Sequence, residues 1–378
     1  MGSENKYGYE LNAILTDAVE RGASDIHLAV GAKPRCRIYG KLQNMDYPLL
    51  KDEYADALLT PLLDALARTQ LHTTGNYDMA YQIHGVARFR VNIFMQKGAL
   101  AGVFRVLNEK VPSYDTLGLP ISVFNMYREM RGLILVVGVT GSGKSTTLAS
   151  FLDIINKNEY KHIITLEDPI EYTHWHSRCL VNQREIGRDV ESYQSGLRAA
   201  LREDPDVILV GEMRDLETID IAITAAETGH LVCSTLHTMS ASATINRIID
   251  MYPERQQKQV RETLASLLTA VIAQQLLPRK DGKGYILAYE IMKVDKQIRK
   301  YIRSNDVDAI DSYLTTKEAH EEGMCSMDET LFRLCKQEKI SDDNAVLYSF
   351  DKKAMRARIA RMRGQAGGTP AKPGAPAQ

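Results

Sequence analysis

The run Leu133–Gly138 is short, apolar and β-rich, and it passes directly into Gly138-Val139-Thr140-Gly141-Ser142-Gly143-Lys144-Ser145. That stretch satisfies the pattern GxxxxGK[ST] in full, and a helical stretch from Lys144 to Asn156 follows it. A strand, a glycine loop and a helix in this order leave few folds open. The glycines let backbone N–H groups close around phosphate oxygens, and the helix N-terminus adds the positive end of its dipole. The predicted phosphate-binding set is Gly138, Val139, Thr140, Gly141, Ser142, Gly143, Lys144, Ser145 and Thr146. Lys144 suits the β- and γ-phosphates, and the Ser145 hydroxyl suits a Mg²⁺ ion. The loop reads as a nucleoside triphosphate site.

Further buried-strand candidates follow at His162–Leu166, Val207–Val210 and Leu231–Thr235, with helices near Ser192–Glu203 and Leu216–Thr228. This alternation predicts a parallel sheet with right-handed crossovers. From Glu254 onward the pattern predicts helix, interrupted by one strand at Gly284–Met292. The first hundred residues read as a separate α+β unit. Its predicted elements are a helix through Leu11–Val19 stopped at Gly22, strands at Asp25–Val30 and Arg35–Leu42, and a helix at Leu58–Leu71. Three more strands follow at Tyr77–His84, Arg88–Phe94 and Ala101–Leu107. A period of two puts Arg88 and Arg90 on one face, Phe89 and Val91 on the other. The chain of 378 residues therefore divides, at roughly 100–200 residues per domain, into 1–107, a proline-bearing linker 108–120, an α/β domain 121–292, and a helical region 293–363. The Gly/Pro/Ala-rich tail 364–378 is predicted to be disordered.

Three acidic or imidazole features sit beside the predicted strand ends. Gly211-Glu212 follows Val207–Val210, and a carboxylate there can hold Mg²⁺ through water. Glu167-Asp168-Pro169-Ile170-Glu171 follows another apolar run, and such a cluster suits a base that activates water for attack on a γ-phosphate. His230 and His237 flank Leu231–Thr235, as candidates for contact with that phosphate or as packed or surface side chains.

Composition excludes several other classes. A net charge of -1 gives no global basic field for nucleic acid. The five cysteines are scattered, without a CxxC pair, against both a disulfide framework and a four-cysteine zinc site. No apolar run approaches the ~18 residues of a membrane span. The stretch MGSENKYGYE lacks the build of a signal peptide. These features predict a cytoplasmic chain whose membrane contact is peripheral.

Taken together, the motifs resemble those of the secretion-type ATPases that drive type IV pili and type II secretion. Leu201-Arg202-Glu203-Asp204-Pro205-Asp206-Val207-Ile208-Leu209-Val210-Gly211-Glu212-Met213-Arg214-Asp215 is similar to that superfamily's most diagnostic segment. Ile164 to Tyr172 resembles its Asp box, Gly229 to Thr238 its His box, and Ala23-Ser24-Asp25-Ile26-His27-Leu28 its N-terminal motif. Within the superfamily the chain is most similar to the PilT/PilU retraction group. Gly323-Met324-Cys325-Ser326-Met327-Asp328 resembles the group's GMQT-D stretch, and neither a further N-terminal domain nor a four-cysteine insertion is evident. The group's AIRNLIRE stretch stands here as Gln297-Ile298-Arg299-Lys300-Tyr301-Ile302-Arg303-Ser304, which keeps the Ile-Arg pairs and little else.

The resemblance implies a RecA-like P-loop NTPase core with a PAS-like N-terminal domain and a helical C-terminal region. It implies an ATPase with ATP and Mg²⁺ as cofactors, assembled as a homohexamer that drives pilus retraction through an inner-membrane platform protein. A paralogous retraction ATPase is a further implied partner. It assigns Glu171 as catalytic base, Glu212 as Mg²⁺ holder through water, and His230 and His237 as γ-phosphate sensors or interface residues. Arg88, Arg90 and Arg105 would include arginines reaching a neighbouring subunit's nucleotide; the alternative is a solvated strand face. Competing readings are an accessory PilU-like, assembly or conjugative ATPase, and a nucleic-acid translocase. The basic run Lys352, Lys353, Arg356, Arg358, Arg361 and Arg363 suits either a phosphate-bearing surface or a solvated helix. A non-hydrolysing regulator is disfavoured by Glu171 and Glu212.

Overall fold

The computed structural model describes residues 10–107, 110–129 and 131–366. Of the predicted tail, Gly364–Ala366 continue the helix Lys352–Ala366. Residues 367–378, the first nine residues, and Asn108 and Glu109 of the predicted linker lie outside the described residues. The chain forms two units: Met1–Val111 with Pro169–Thr173, and Pro112–Asp168 with His174–Gln378.

The first unit carries six strands: β1 (Asp25–Ala29), β2 (Arg35–Ile38), β3 (Lys41–Asn44), β4 (Asn76–Ile83), β5 (Ala87–Gln96) and β6 (Ala99–Leu107). They form an antiparallel sheet in the order β3-β2-β1-β6-β5-β4. Alternation along the strands buries Ile26, Leu28, Phe89, Val91, Ile93 and Phe104 in one core with Ile14, Leu15, Leu58 and Leu59 from the helices. Two sequence expectations change here. Arg35–Leu42 is not one strand but most of a hairpin, turned by Tyr39 (φ 48°) and Gly40 (φ 79°). Both residues are left-handed, as a type I′ turn requires, but Tyr-Gly lacks the usual Asn/Asp-Gly signature. The helix expected at Leu58–Leu71 is divided into Asp52–Leu59, the 3₁₀ turn Thr60–Leu62 and Ala65–Thr74. Pro61 cannot continue the helical hydrogen bonding, and Asp64 caps the next helix by accepting from the Ala67 N–H at 2.8 Å.

The second unit carries β7 (Gly132–Val137), β8 (His162–Glu167), β9 (Leu180–Glu185), β10 (Val207–Val210), β11 (Leu231–Leu236), β12 (Leu268–Pro278) and β13 (Tyr285–Lys293). The sheet order is β13-β12-β7-β11-β10-β8-β9, parallel except for β13. Its central strands are buried on both faces, which is why they read as continuous apolar runs. Two strands were not foreseen. β9 is a polar edge strand without a hydrophobic pattern, half exposed along its length. β12 lies in the region expected to be helical: the helix Glu254–Leu267 runs straight into it. Leu, Ala and Gln are good helix formers, so local propensity favours continuing the helix. Pairing with β7 on one side and β13 on the other overrides it.

The C-terminal helices belong to the same core as this sheet. Ile298, Ile302, Ile310, Leu314, Leu331 and Met355 cluster with Leu135, Val271 and Met292. In the helix Lys296–Ser304 the Ile-Arg pairs have a structural job. Ile298 and Ile302 are fully buried, Arg299 donates to the carbonyls of Ala265 and Ser266, and Arg303 pairs with Glu262 at 3.0 Å. The retained residues of that stretch are therefore the ones that dock it on Glu254–Leu267.

Candidate active site

All parallel strands end at one edge, so the segments that follow them are brought together. Val137, Leu236, Ser234, Val210 and Leu166 stand in neighbouring register across β7, β11, β10 and β8. The glycine loop after β7, Gly211-Glu212 after β10, Glu167-Asp168 at the end of β8 and His237 after β11 accordingly share that edge, where ligands bind in open α/β sheets.

The backbone of the loop depends on its glycines. Gly138 has φ +145°, and a Cβ there would lie 2.3 Å from the Gln274 carbonyl oxygen and 2.6 Å from Ser142 Oγ. Only glycine fits. Gly141 and Gly143 also take positive φ, and Lys144 opens the helix Lys144–Asn158. Lys144 is buried (8% exposed), and its Nζ donates to the Gly138 and Val139 carbonyls at 2.7 and 3.0 Å. Ser142 Oγ is buried with no hydrogen-bond partner, the Ser145 side chain is exposed, and Thr146 is half-buried. An orphaned hydroxyl and an enclosed ammonium at a helix N-terminus fit phosphate oxygens.

At the same edge of the sheet, Glu212 is held on both sides. His237 Nε2 lies 3.0 Å from Oε1, and Arg214 lies 2.8 Å from Oε2. Burial by itself raises the Glu212 pKa, but Arg214 and His237 outweigh it and keep the carboxyl below its ordinary range. The turn that presents it is tightly tied: Gly211 N–H donates to the Leu166 carbonyl at 2.8 Å, and Thr235 Oγ1 donates to the Gly211 carbonyl at 2.6 Å. Glu167 Oε1 accepts from Thr165 Oγ1 at 2.7 Å and Gln183 Nε2 at 3.1 Å, while Asp168 is exposed. A carboxylate engaged in this way is a poor base. Among the described residues no cluster of three or more His, Cys, Asp or Glu could hold a metal ion. Mg²⁺ ordinarily takes only one or two protein oxygens beside phosphate oxygens and water, and the Ser145 hydroxyl and, through water, the Glu212 carboxylate are the candidates at this edge.

The other candidate residues are distributed unevenly. Glu171 is half-buried between buried Ile170 and Tyr172, on the segment Pro169–Thr173 that groups with the first unit. His230 is not gathered with His237. It precedes β11, whereas His237 follows it, so six strand residues of about 3.3 Å each separate them. The His230 ring engages the Ala225 carbonyl at 2.9 Å and Thr228 Oγ1 at 3.1 Å. In the first unit, Arg90, Arg105, Asp25 and Arg37 form one rung across β5, β6, β1 and β2. Arg105 Nε donates to Asp25 at 2.9 Å. Burial raises the Asp25 pKa, but Arg105 and Ser24 outweigh it and lower the carboxyl. Arg90 is exposed and Arg88 half-buried. Sequence reading missed Arg214 as a partner of Glu212, although opposite charges two residues apart on an extended stretch were the available signal.

The fold and the loop together define a P-loop NTPase with a RecA-like core and appended helices. The chain belongs to the type II/IV secretion system protein family, whose description matches residues 7–337, and within it to the PilT/PilU group. It is 44% identical over 337 residues to the type IV pilus retraction ATPase PilT of Pseudomonas aeruginosa, covering 89% of this chain and 97% of that protein. It is 34% identical over 350 residues to the type IV pilus ATPase PilU of the same organism, covering 93% and 91%. A crystal structure of the pilus retraction motor PilT with bound ADP matches at a TM-score of 0.87 and 45% identity, covering 92% of this chain and 99% of that one.

Proposed function

We propose that this chain is an ATPase that couples hydrolysis to retraction of type IV pili. The observation that carries this reading is the likeness to PilT over 89% of this chain and 97% of that protein, with the glycine loop and Glu212 in place. In this reading Lys144, the loop N–H groups and Ser142 hold the triphosphate, and Ser145 with Glu212 holds Mg²⁺. The metal would supply charge neutralisation on the β- and γ-phosphate oxygens. Glu171 takes a proton from the attacking water, and His237 reports the γ-phosphate through its hydrogen bond to Glu212. His230, placed away from that edge, suits a subunit interface.

The working assembly in this reading is a homohexamer on the inner face of the cytoplasmic membrane. Each subunit has a PAS-like N-terminal domain, and one of Arg88, Arg90 and Arg105 reaches a neighbour's nucleotide. ATP favours one arrangement of the ring and hydrolysis another, so cycling moves a bound platform protein. An accessory PilU-like role beside a paralogous motor is the second reading, favoured by the departures at Gln297, Lys300, Tyr301 and Ser304. Deletion in the source organism tests both. Many surface pili without twitching motility would support retraction, and loss of pili would mean assembly. A defect only when a paralogue is also absent or impaired would mean the accessory role.

A further inference from the structure

The helix Tyr193–Ala200 packs against the end of β8 at Gly196. A Cβ on Gly196 would lie 2.9 Å from Leu166 Cδ2, so a larger residue would push the Leu166 side chain aside. The first turn is pinned by a reciprocal cap, with Ser195 N–H donating to Ser192 Oγ at 3.2 Å and Ser192 N–H donating to Ser195 Oγ at 3.1 Å. These two constraints aim the first helical residue, Tyr193, at Gly211. A Cβ on Gly211 would stand 3.0 Å from the Tyr193 hydroxyl, 3.1 Å from the Leu166 carbonyl oxygen and 3.4 Å from Glu167 Cα. The phenol oxygen thus sits between the ends of β8 and β10, beside the residues that carry Glu167, Asp168 and Glu212.

We propose that Tyr193 is a positioning residue for ATP hydrolysis, whose hydroxyl donates into the Glu167, Asp168 and Glu212 cluster and orders the water among these carboxylates. The proposal rests on the ATPase reading. Its chemistry follows from the surroundings. A side chain among three carboxylates is useful only as a donor, and a phenol is a donor while it keeps its proton. Burial first, then the charges of Asp168, Glu212 and Glu167, push the Tyr193 pKa well above its ordinary value. A phenol already keeps its proton at neutral pH without any shift, its ordinary pKa being about 10. Glu212 is already oriented on two sides by Arg214 and His237, and in this proposal the Tyr193 hydroxyl, placed beside Gly211, adds a neutral donor to the cluster. Unlike a further cation, it adds direction without competing for the phosphate charge.

The test is Tyr193→Phe, which removes one oxygen and leaves the ring packing. Steady-state turnover, KM for ATP and equilibrium ATP binding are measured on the full chain with Mg²⁺, beside wild type and Lys144→Ala, with melting temperature as the fold control. The expected result is kcat lower by about 5-fold or more, from loss of one directional hydrogen bond, with KM and ATP affinity within about 2-fold of wild type. Unchanged turnover, or a loss carried by ATP affinity, would overturn the role of Tyr193. A wild type no faster than Lys144→Ala would overturn the ATPase reading, and the proposal with it.

Discussion

Lys144 is the residue whose loss should be most damaging at least structural cost. Its ammonium lies in the loop on two carbonyls, so Lys144→Ala should abolish ATP hydrolysis while circular dichroism stays native. Glu171→Gln separates chemistry from binding: equilibrium ATP binding should persist while single-turnover hydrolysis falls by roughly 100-fold or more, the scale of general-base catalysis. Normal hydrolysis by Glu171→Gln, with Glu167→Gln inactive, would transfer the base to Glu167. The structure makes that outcome unattractive, because Glu167 Oε1 already accepts from Thr165 and Gln183. Gly138→Ala should destabilise the fold by about 2–4 kcal/mol, because the new methyl would meet the Gln274 carbonyl at 2.3 Å. Chemical denaturation would measure it.

Between elements, the most telling contact is Glu290 on β13. Its side chain is buried (3% exposed) and ties two helix N-termini together, accepting from the Ala241 N–H at 2.8 Å and from the Met327 N–H at 3.3 Å. Ala241 opens the helix that follows His237, and Met327 opens one of the C-terminal helices. Burial raises the Glu290 pKa from 4.5 to about 7, with the charges of Asp311 and Asp328 adding to it and the two N–H donors opposing it. The sign follows from proton uptake: between pH 4.5 and about 7 the folded chain holds this proton more tightly than the unfolded one. Stability from this group therefore falls as pH rises through that window. Glu290→Gln, which mimics the protonated acid, should flatten the wild-type dependence of melting temperature on pH between 5 and 8. An equal slope in both proteins would remove Glu290 as its source.

For the whole molecule, the expectation concerns assembly. If one of Arg88, Arg90 and Arg105 serves a neighbour's nucleotide, its alanine variant should bind ATP normally and hydrolyse it poorly. Mixed with Lys144→Ala, which keeps its arginines, it should regain part of the activity, because one subunit supplies the cation and the other the intact loop. Arg90 is the readier candidate, since the Arg105 guanidinium is already committed to Asp25. Failure to complement, with subunit exchange confirmed by labelled chains, would confine the arginines to their own sheet. The basic run from Lys352 divides in a similar way. Arg363 is paired with Glu338 and Asp342, and Arg358 lies over the Phe332 ring at 4.2 Å. Part of that charge is thus consumed in fastening the C-terminal helix.

The phosphate loop was legible from sequence because every requirement on it is local. Positive φ at glycine, a helix N-terminus and a lysine at fixed spacing all fall within eight residues. Apolar runs buried on both faces likewise announced β7, β8, β10 and β11. What lay beyond reach were choices made by distant partners. β12 became a strand because β7 and β13 flank it, against the helical preference of its own residues. Arg105 found Asp25 eighty positions away. His237, but not its sequence twin His230, reached Glu212, because a strand separates the two ends and only one of them is the edge where the glycine loop lies. Local conformational rules are written in consecutive residues. Pairings between chain-distant side chains exist only once the sheet has closed and fixed which ends meet.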